Sequence, residues 1–94
     1  MSAHTFAAAT GPLSQLPLHR RATVTEVTPP EHSPEWGRLL AEIGFMPGEQ
    51  VQIMARAMPG GDPLVVRVGD STFALRRAEA DCIGVRVDDP KVAS

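Results

Sequence analysis

A chain of 94 residues holds one hydrophobic core and not two, because a domain this short buries only a modest part of its unfolded surface. An apolar share of 43% beside 21% charged residues argues against disorder, and a net charge of -2 argues against the broad basic face that grips phosphate backbones. A single cysteine, Cys82, excludes an internal disulfide framework and any cysteine-rich zinc motif.

The opening stretch MSAHTFAAATGP has small and polar residues but no charged region followed by a sustained apolar run, so it does not read as an export signal. No segment reaches the roughly 18 to 20 apolar residues of a membrane span. The expectation is a cytoplasmic chain with no membrane insertion, a flexible tail over 1–12, one domain over 13–87 and a second tail over 88–94. RRATVTEVT is the first predicted strand: β-branched Thr23, Val24, Thr25 and Val27 dominate it, and Pro29-Pro30 ends it. SPEWGRLLAEIG follows as a short helix, with Ser33 as its cap, Pro34 in the first turn and Glu35 at the positive end of the dipole. Trp36, Leu39, Leu40 and Ile43 fall at helical spacing and predict one apolar stripe toward the core.

Gly44 suits the left-handed residue after a helix, and in such a cap the next residue packs back on the last turn, here Phe45 against Leu40. Pro47-Gly48 then turns the chain into the strand VQIMARAM, with Val51, Ile53 and Ala55 expected on one face. PGGDP at 59–63 is a loop. LVVRVGDSTFAL is a hairpin around the two-residue turn Gly69-Asp70, which pairs Val68 with Ser71, Val66 with Phe73 and Leu64 with Leu75. RRAEADC supplies a polar or single helical turn, and IGVRV closes the pattern as a last strand. The expected fold is therefore mainly β: a small SH3-like barrel of about five strands with one inserted short α-helix, since closure removes exposed edges.

The chain has no nucleophile, base and acid grouping, no GxSxG elbow and no GxxxxGK[ST] loop, so neither catalysis nor a cofactor is expected. His4, His19, His32 and Cys82 are too far apart in sequence to build a compact metal site; His19, His32 and Glu35 are weak surface candidates and no dedicated site is expected. Met46, Met54 and Met58 are better used as packing or contact residues than as thioether ligands.

Three segments in order resemble the FeoA family, small accessory proteins of bacterial ferrous iron uptake. Leu13-Ser14-Gln15-Leu16 is similar to the family's opening Leu-x-x-Leu. RLLAEIGFMPGEQVQI is similar to its helix signature, with Leu39, Leu40, Gly44, Pro47 and Gly48 in place, and residues 63–85 are similar to its closing segment, with Gly69, Asp70, Leu75 and Arg76. The match spans Leu13 to Val87 and departs at His19, where many members carry glycine; a positive φ there is one that histidine tolerates better than most residues.

The resemblance implies an SH3-like barrel that docks on the cytoplasmic portion of the membrane transporter FeoB and supports or activates Fe(II) transport. Peptide-binding SH3 domains use an aromatic-lined groove, and no such stripe can be built from no Tyr, one Trp and three Phe. An aliphatic, Met-containing contact is expected instead, at Phe45, Met46 and Pro47 and along the loop from Met58 to Pro63, including Asp62. Weak self-association is compatible with this.

Two other readings differ in class. A metal-responsive SH3-like domain would resemble the C-terminal domain of iron-dependent repressors; with no helix-turn-helix pattern ahead of it, the chain is not expected to bind DNA itself. A ribosomal-type nucleic-acid barrel is disfavoured by the sequence pI of about 5.8 and the missing exposed aromatics.

Overall fold

The hairpin predicted around Gly69-Asp70 is realised residue for residue in the computed structural model, which describes residues 10–57 and 60–88. Val68 faces Ser71, Val66 faces Phe73 and Leu64 faces Leu75. Gly69 has φ 58 while Asp70 keeps a negative φ, so the turn is of the type whose first central residue is glycine and whose twist matches the flanking strands. This hairpin forms one end of a six-stranded antiparallel sheet: β1 (Thr10–Pro12), β2 (Arg21–Val27), β3 (Gln50–Arg56), β4 (Leu64–Val68), β5 (Ser71–Leu75) and β6 (Ile83–Val87). Their order in space is β1-β6-β2-β3-β4-β5. Two helices interrupt them, α1 (Glu35–Glu42) and α2 (Arg77–Ala80).

The sixth strand is a correction to the expected count. Thr10, Gly11 and Pro12 pair with Arg86, Val85 and Gly84 of β6. Gly11-Pro12 reads locally as punctuation, yet an edge strand accommodates proline because one side of its backbone needs no partner. At the other end Asp88 is not in a tail either: its N–H donates to the Arg21 carbonyl at 3.0 Å, and its carboxylate accepts from Thr23 Oγ1 at 2.6 Å and Gln50 Nε2 at 3.0 Å. The rest of both expected tails lies outside the described residues.

Register shifts between Val24 and Glu26 on β2, and between Ile53 and Ala55 on β3, mark bulges that bend these strands and help curl the sheet. The second bulge corrects the expected face pattern. Val51 and Ile53 are buried, but the extra residue at Met54 reverses the alternation and leaves Ala55 exposed.

The sheet curls around a core in which Leu13, Leu16, Phe45, Ile53, Leu64 and Ile83 are fully buried. Leu13 and Leu16 arrive together because Leu13–Gln15 is a 3-10 turn, in which residues three apart eclipse. Arg56 holds this plug from β3: Nη1 donates to the Ser14 carbonyl at 3.1 Å and Nη2 to the Leu16 carbonyl at 2.7 Å. Ser14, itself buried, donates its hydroxyl to the Asp81 carboxylate.

α1 begins without the expected side-chain cap; Pro34 is the capping residue, and Ser33 contributes its carbonyl to the Trp36 N–H at 3.0 Å. Gly37 is explained by space, since a Cβ there would meet Pro29 Cγ at 3.2 Å. The stripe is narrower than expected. Leu40 is buried and Ile43 packs on the core, but Leu39 is 53% exposed. Adjacent helical residues lie about 100° apart, and an eight-residue helix that turns Leu40 fully inward carries Leu39 onto its flank.

The helix end has the expected geometry. Gly44 has φ 117, its N–H donates to the Ala41 carbonyl at 3.1 Å, and the Phe45 N–H reaches back to the Leu40 carbonyl at 2.9 Å. These are the two bonds of a Schellman cap, which brings Phe45 toward Leu40. Phe45 is fully buried, with its ring 6.5 Å from that of Phe73 on β5. The chain then turns through Met46, Pro47 and Gly48, closed by Glu49 N–H to the Met46 carbonyl at 3.0 Å, and is stitched to β2 by Gly48 N–H to Val24 O and Val24 N–H to Glu49 O, both 2.8 Å.

His19 has φ 66 and is the one described non-glycine residue in that region. It is held there by its N–H to the Ile53 carbonyl at 2.8 Å and by Gln52 Nε2 donating to its own carbonyl at 2.6 Å. Replacing Phe45 with Ala is expected to lower unfolding free energy in urea by about 3–5 kcal/mol, against less than about 1 kcal/mol for Leu39→Ala. His19→Gly is expected to raise the urea midpoint, by up to about 1 kcal/mol in free energy, by relieving the left-handed conformation.

Candidate docking surface

The residues proposed from sequence as one contact surface fall into two groups, at opposite ends of β3. Met46 and Pro47 precede its first residue, and Asp62 lies in the loop after its last. Six residue steps at about 3.3 Å separate these ends by about 20 Å, so they do not form one patch.

At the first end Phe45 must be removed from the surface set, because it is 0% exposed and is consumed by the core. Its neighbours are the outward part of the corner: Met46 is 46% exposed and Pro47 is exposed. Leu39, assigned from sequence to the core, is exposed on the same helix-to-strand unit, and the alternation rule could not reveal it because its spacing is that of the buried stripe. Leu40 and Leu75 are buried as the motif reading requires, and Gly48, Gly69 and Asp70 occupy turns. The corner is therefore an apolar tip on a rigid support.

At the second end Asp62 has a structural duty. Its Oδ1 accepts from the Arg77 N–H at 3.0 Å, which satisfies a donor in the first turn of α2, while Glu79 accepts from the Arg76 N–H at 2.8 Å. Met58 lies outside the described residues.

The weak metal candidates do not converge. His19 precedes β2 and His32 follows it, so a seven-residue strand separates them, and Glu35 is exposed on the first turn of α1. The His32 ring lies edge-on to Trp36 with centroids 6.5 Å apart. Among the described residues no three His, Cys, Asp or Glu side chains are grouped to hold a metal ion. Cys82 is half-buried against the core, and its Sγ lies 3.5 Å from the Ala78 carbonyl. Burial raises its pKa, and the neighbouring carboxylates of Asp81 and then Glu79 push it the same way.

A shallow cleft of about 240 Å³ lies beside Cys82, with Pro30, His32, Trp36 and Ala78 on its walls. Its thiol is held protonated by burial and by the carboxylates of Asp81 and Glu79, which oppose the thiolate that a nucleophile needs. What the described surface offers is contact chemistry: an exposed thioether, a proline ring and a leucine on a fixed bend.

A barrel of short antiparallel strands with a helix inserted between its second and third strands is an SH3-like domain. A family model described as the FeoA domain matches residues 11–87, and the chain belongs to that family. Among solved structures it is similar to FeoA of Stenotrophomonas maltophilia complexed with zinc, described as a prokaryotic SH3 domain protein, at 43% identity over 79% of this chain and 87% of that one, with a TM-score of 0.71. The iron(II) transport protein A of Clostridium thermocellum is 35% identical over 82% of this chain and 45% of that one, with a TM-score of 0.70. A manganese-dependent transcriptional repressor shares the fold, with a TM-score of 0.71 over 83% of this chain and 41% of that one at 20% identity. A comparison with curated proteins gives no match.

Because the thiolate is the reactive form, Cys82 is expected to be alkylated by iodoacetamide at pH 8 more slowly than the same residue in urea-unfolded chain. The two rates should converge as pH rises above the shifted pKa, measured by mass spectrometry.

Proposed function

We propose that this protein is an accessory and regulatory component of ferrous iron uptake that docks on the cytoplasmic portion of the transporter FeoB and supports or activates its transport of Fe(II). The reading is supported by membership of the FeoA family across residues 11–87. It is also supported by the relative from Stenotrophomonas maltophilia, described as a candidate activating factor of bacterial ferrous iron transport.

The observation that carries the docking half is the division of labour at residues 45 and 46. Phe45 is fully buried and fixes the bend, while Met46 is 46% exposed beside exposed Pro47. A contact surface on a rigid element loses little conformational entropy on binding, and a methionine adapts its three rotatable bonds to the partner. Leu39 extends the apolar area on the same unit. Such a protein works in the cytoplasm without crossing the bilayer, and among the described residues no helix is long and apolar enough to do so. Its role in this reading is contact, not catalysis and not iron conduction.

The repressor-like alternative, a metal-responsive domain, has the fold likeness to a manganese-dependent repressor in its favour. It is the weaker reading, since His19 lies across β2 from His32 and Glu35 and the described residues group no three ligating side chains.

The test is a titration of isotope-labelled protein with detergent-solubilised FeoB, with and without guanine nucleotide, following backbone amide intensities. Saturable losses centred on Leu39, Met46 and Glu49 are expected, and a nucleotide dependence would mark the contact as regulatory. Met46→Asp is expected to weaken binding by about tenfold or more, the effect of placing a charge in an apolar contact, while leaving the folded spectrum intact. Leu18→Asp, at an equally exposed leucine away from the corner, should bind as the parent does. Absence of any intensity change in every nucleotide state would overturn the docking reading.

A further inference from the structure

The two edges of the sheet are protected very differently. β1 is three residues long and ends in Pro12, so it offers little backbone for another strand to pair with. β5, Ser71-Thr72-Phe73-Ala74-Leu75, has five residues with no charge and no proline, runs without a bulge, and pairs among the described residues with β4 alone.

The turn fixes which backbone groups face out. In a two-residue hairpin the residues flanking the turn exchange hydrogen bonds, and bonded pairs then alternate along the ladder. Ser71, Phe73 and Leu75 are therefore bonded to β4, and the N–H and C=O groups of Thr72 and Ala74 point away from it. Both residues are exposed. An edge of this kind is a template for a further strand.

We propose that this edge is an interface between two copies of the chain, paired antiparallel about a two-fold axis at Phe73. The occupant is identified by charge and by symmetry. With Phe73 opposite Phe73 of the second copy, Thr72 lies opposite Ala74 of that copy, and the outward groups of these residues complete four backbone hydrogen bonds. One step further out, Asp70 lies opposite Arg76 of the second copy and Arg76 opposite its Asp70. All four residues 70, 72, 74 and 76 are exposed; Thr72 and Ala74 share the outer face by strand alternation, and Asp70 and Arg76 flank the strand at its two ends, where the opposed charges meet in solvent. On the inner side the two half-buried Phe73 rings approach across a pair without hydrogen bonds, where side chains are closest.

The register is specific. Sliding by two residues, the smallest shift that keeps the outward groups bonded, sets Asp70 opposite Ala74 or Arg76 opposite Thr72 and leaves the charges without their opposites. The result is one continuous sheet running through both copies. This surface is separate from the transporter contact proposed above and stands whether or not that contact exists.

The test is sedimentation velocity and NMR translational diffusion of the full chain from low micromolar to millimolar concentration at low salt. A reversible monomer-dimer equilibrium is expected. Asp70→Arg alone and Arg76→Asp alone each set like charges opposite one another twice, and each should weaken dimerisation by about tenfold. The double exchange Asp70→Arg with Arg76→Asp should restore it, which a general loss of solubility or folding would not do. Ala74→Pro removes an outward N–H and no bond to β4, and should leave a folded monomer. A chain that stays monomeric at millimolar concentration overturns the proposal, as does a dimer indifferent to both charge variants. Strand addition by an extended segment of another protein, with no self-association, would equally reject the second copy as occupant.

Discussion

The burial of Phe45 is the constraint from which the rest of this barrel follows. A Schellman cap at Gly44 delivers the ring inward, where it meets Phe73 of the far hairpin, and Gly48 and Glu49 are then bonded to the backbone of Val24 in β2. β3 therefore starts at a fixed residue against β2. In a sheet with one buried face a slip of a single residue would exchange every inner side chain for an outer one, so a fixed start is what allows Val51 and Ile53 to reach the core. The helix inserted between β2 and β3 supplies this anchor more than it supplies area, since Leu40 is its one fully turned-in leucine.

The second fixed point is at the other end of β3, where Arg56 grips the 3-10 turn by two carbonyls. A guanidinium suits this task because its planar fork presents two parallel donors, and hydrogen bonds from a charged group are stronger than neutral ones. Leu13 and Leu16 are thereby seated as a lid on the core, with the buried Ser14 satisfied by Asp81. β3 is thus tied at its start to the helix corner and at its finish to the opening Leu-x-x-Leu, which links the first and second of the family's three sequence signatures through one strand.

What could be read from the sequence was what is decided locally. The β4–β5 hairpin follows from two turn residues between alternating apolar positions, and the helix end from glycine before an aromatic residue. The departure from glycine at position 19 correctly pointed to a left-handed residue. What escaped is decided at long range or by small margins. β1 has three residues and so no period to detect. The side of α1 that Leu39 occupies depends on how an eight-residue helix is rotated over the core. The bulge at Met54, the Arg56 clamp and the anchoring of Asp88 depend on groups tens of positions apart. The contact surface suffered most, because Phe45 and Met46 are adjacent in sequence and opposite in exposure.

The anchoring of Asp88 has a geometric corollary. By its hydrogen bonds to Thr23 and Gln50 it brings the outgoing chain to the first residue of β3, while Thr10 sits at the far edge of the row that runs Thr10, Arg86, Thr23, Gln50 across four strands. Asp88 is thus fixed beside the start of β3, three residues along from Pro47, whereas Thr10 is held about 14 Å across the sheet from it, so the two ends of the described chain stand at unequal distances from the exposed tip.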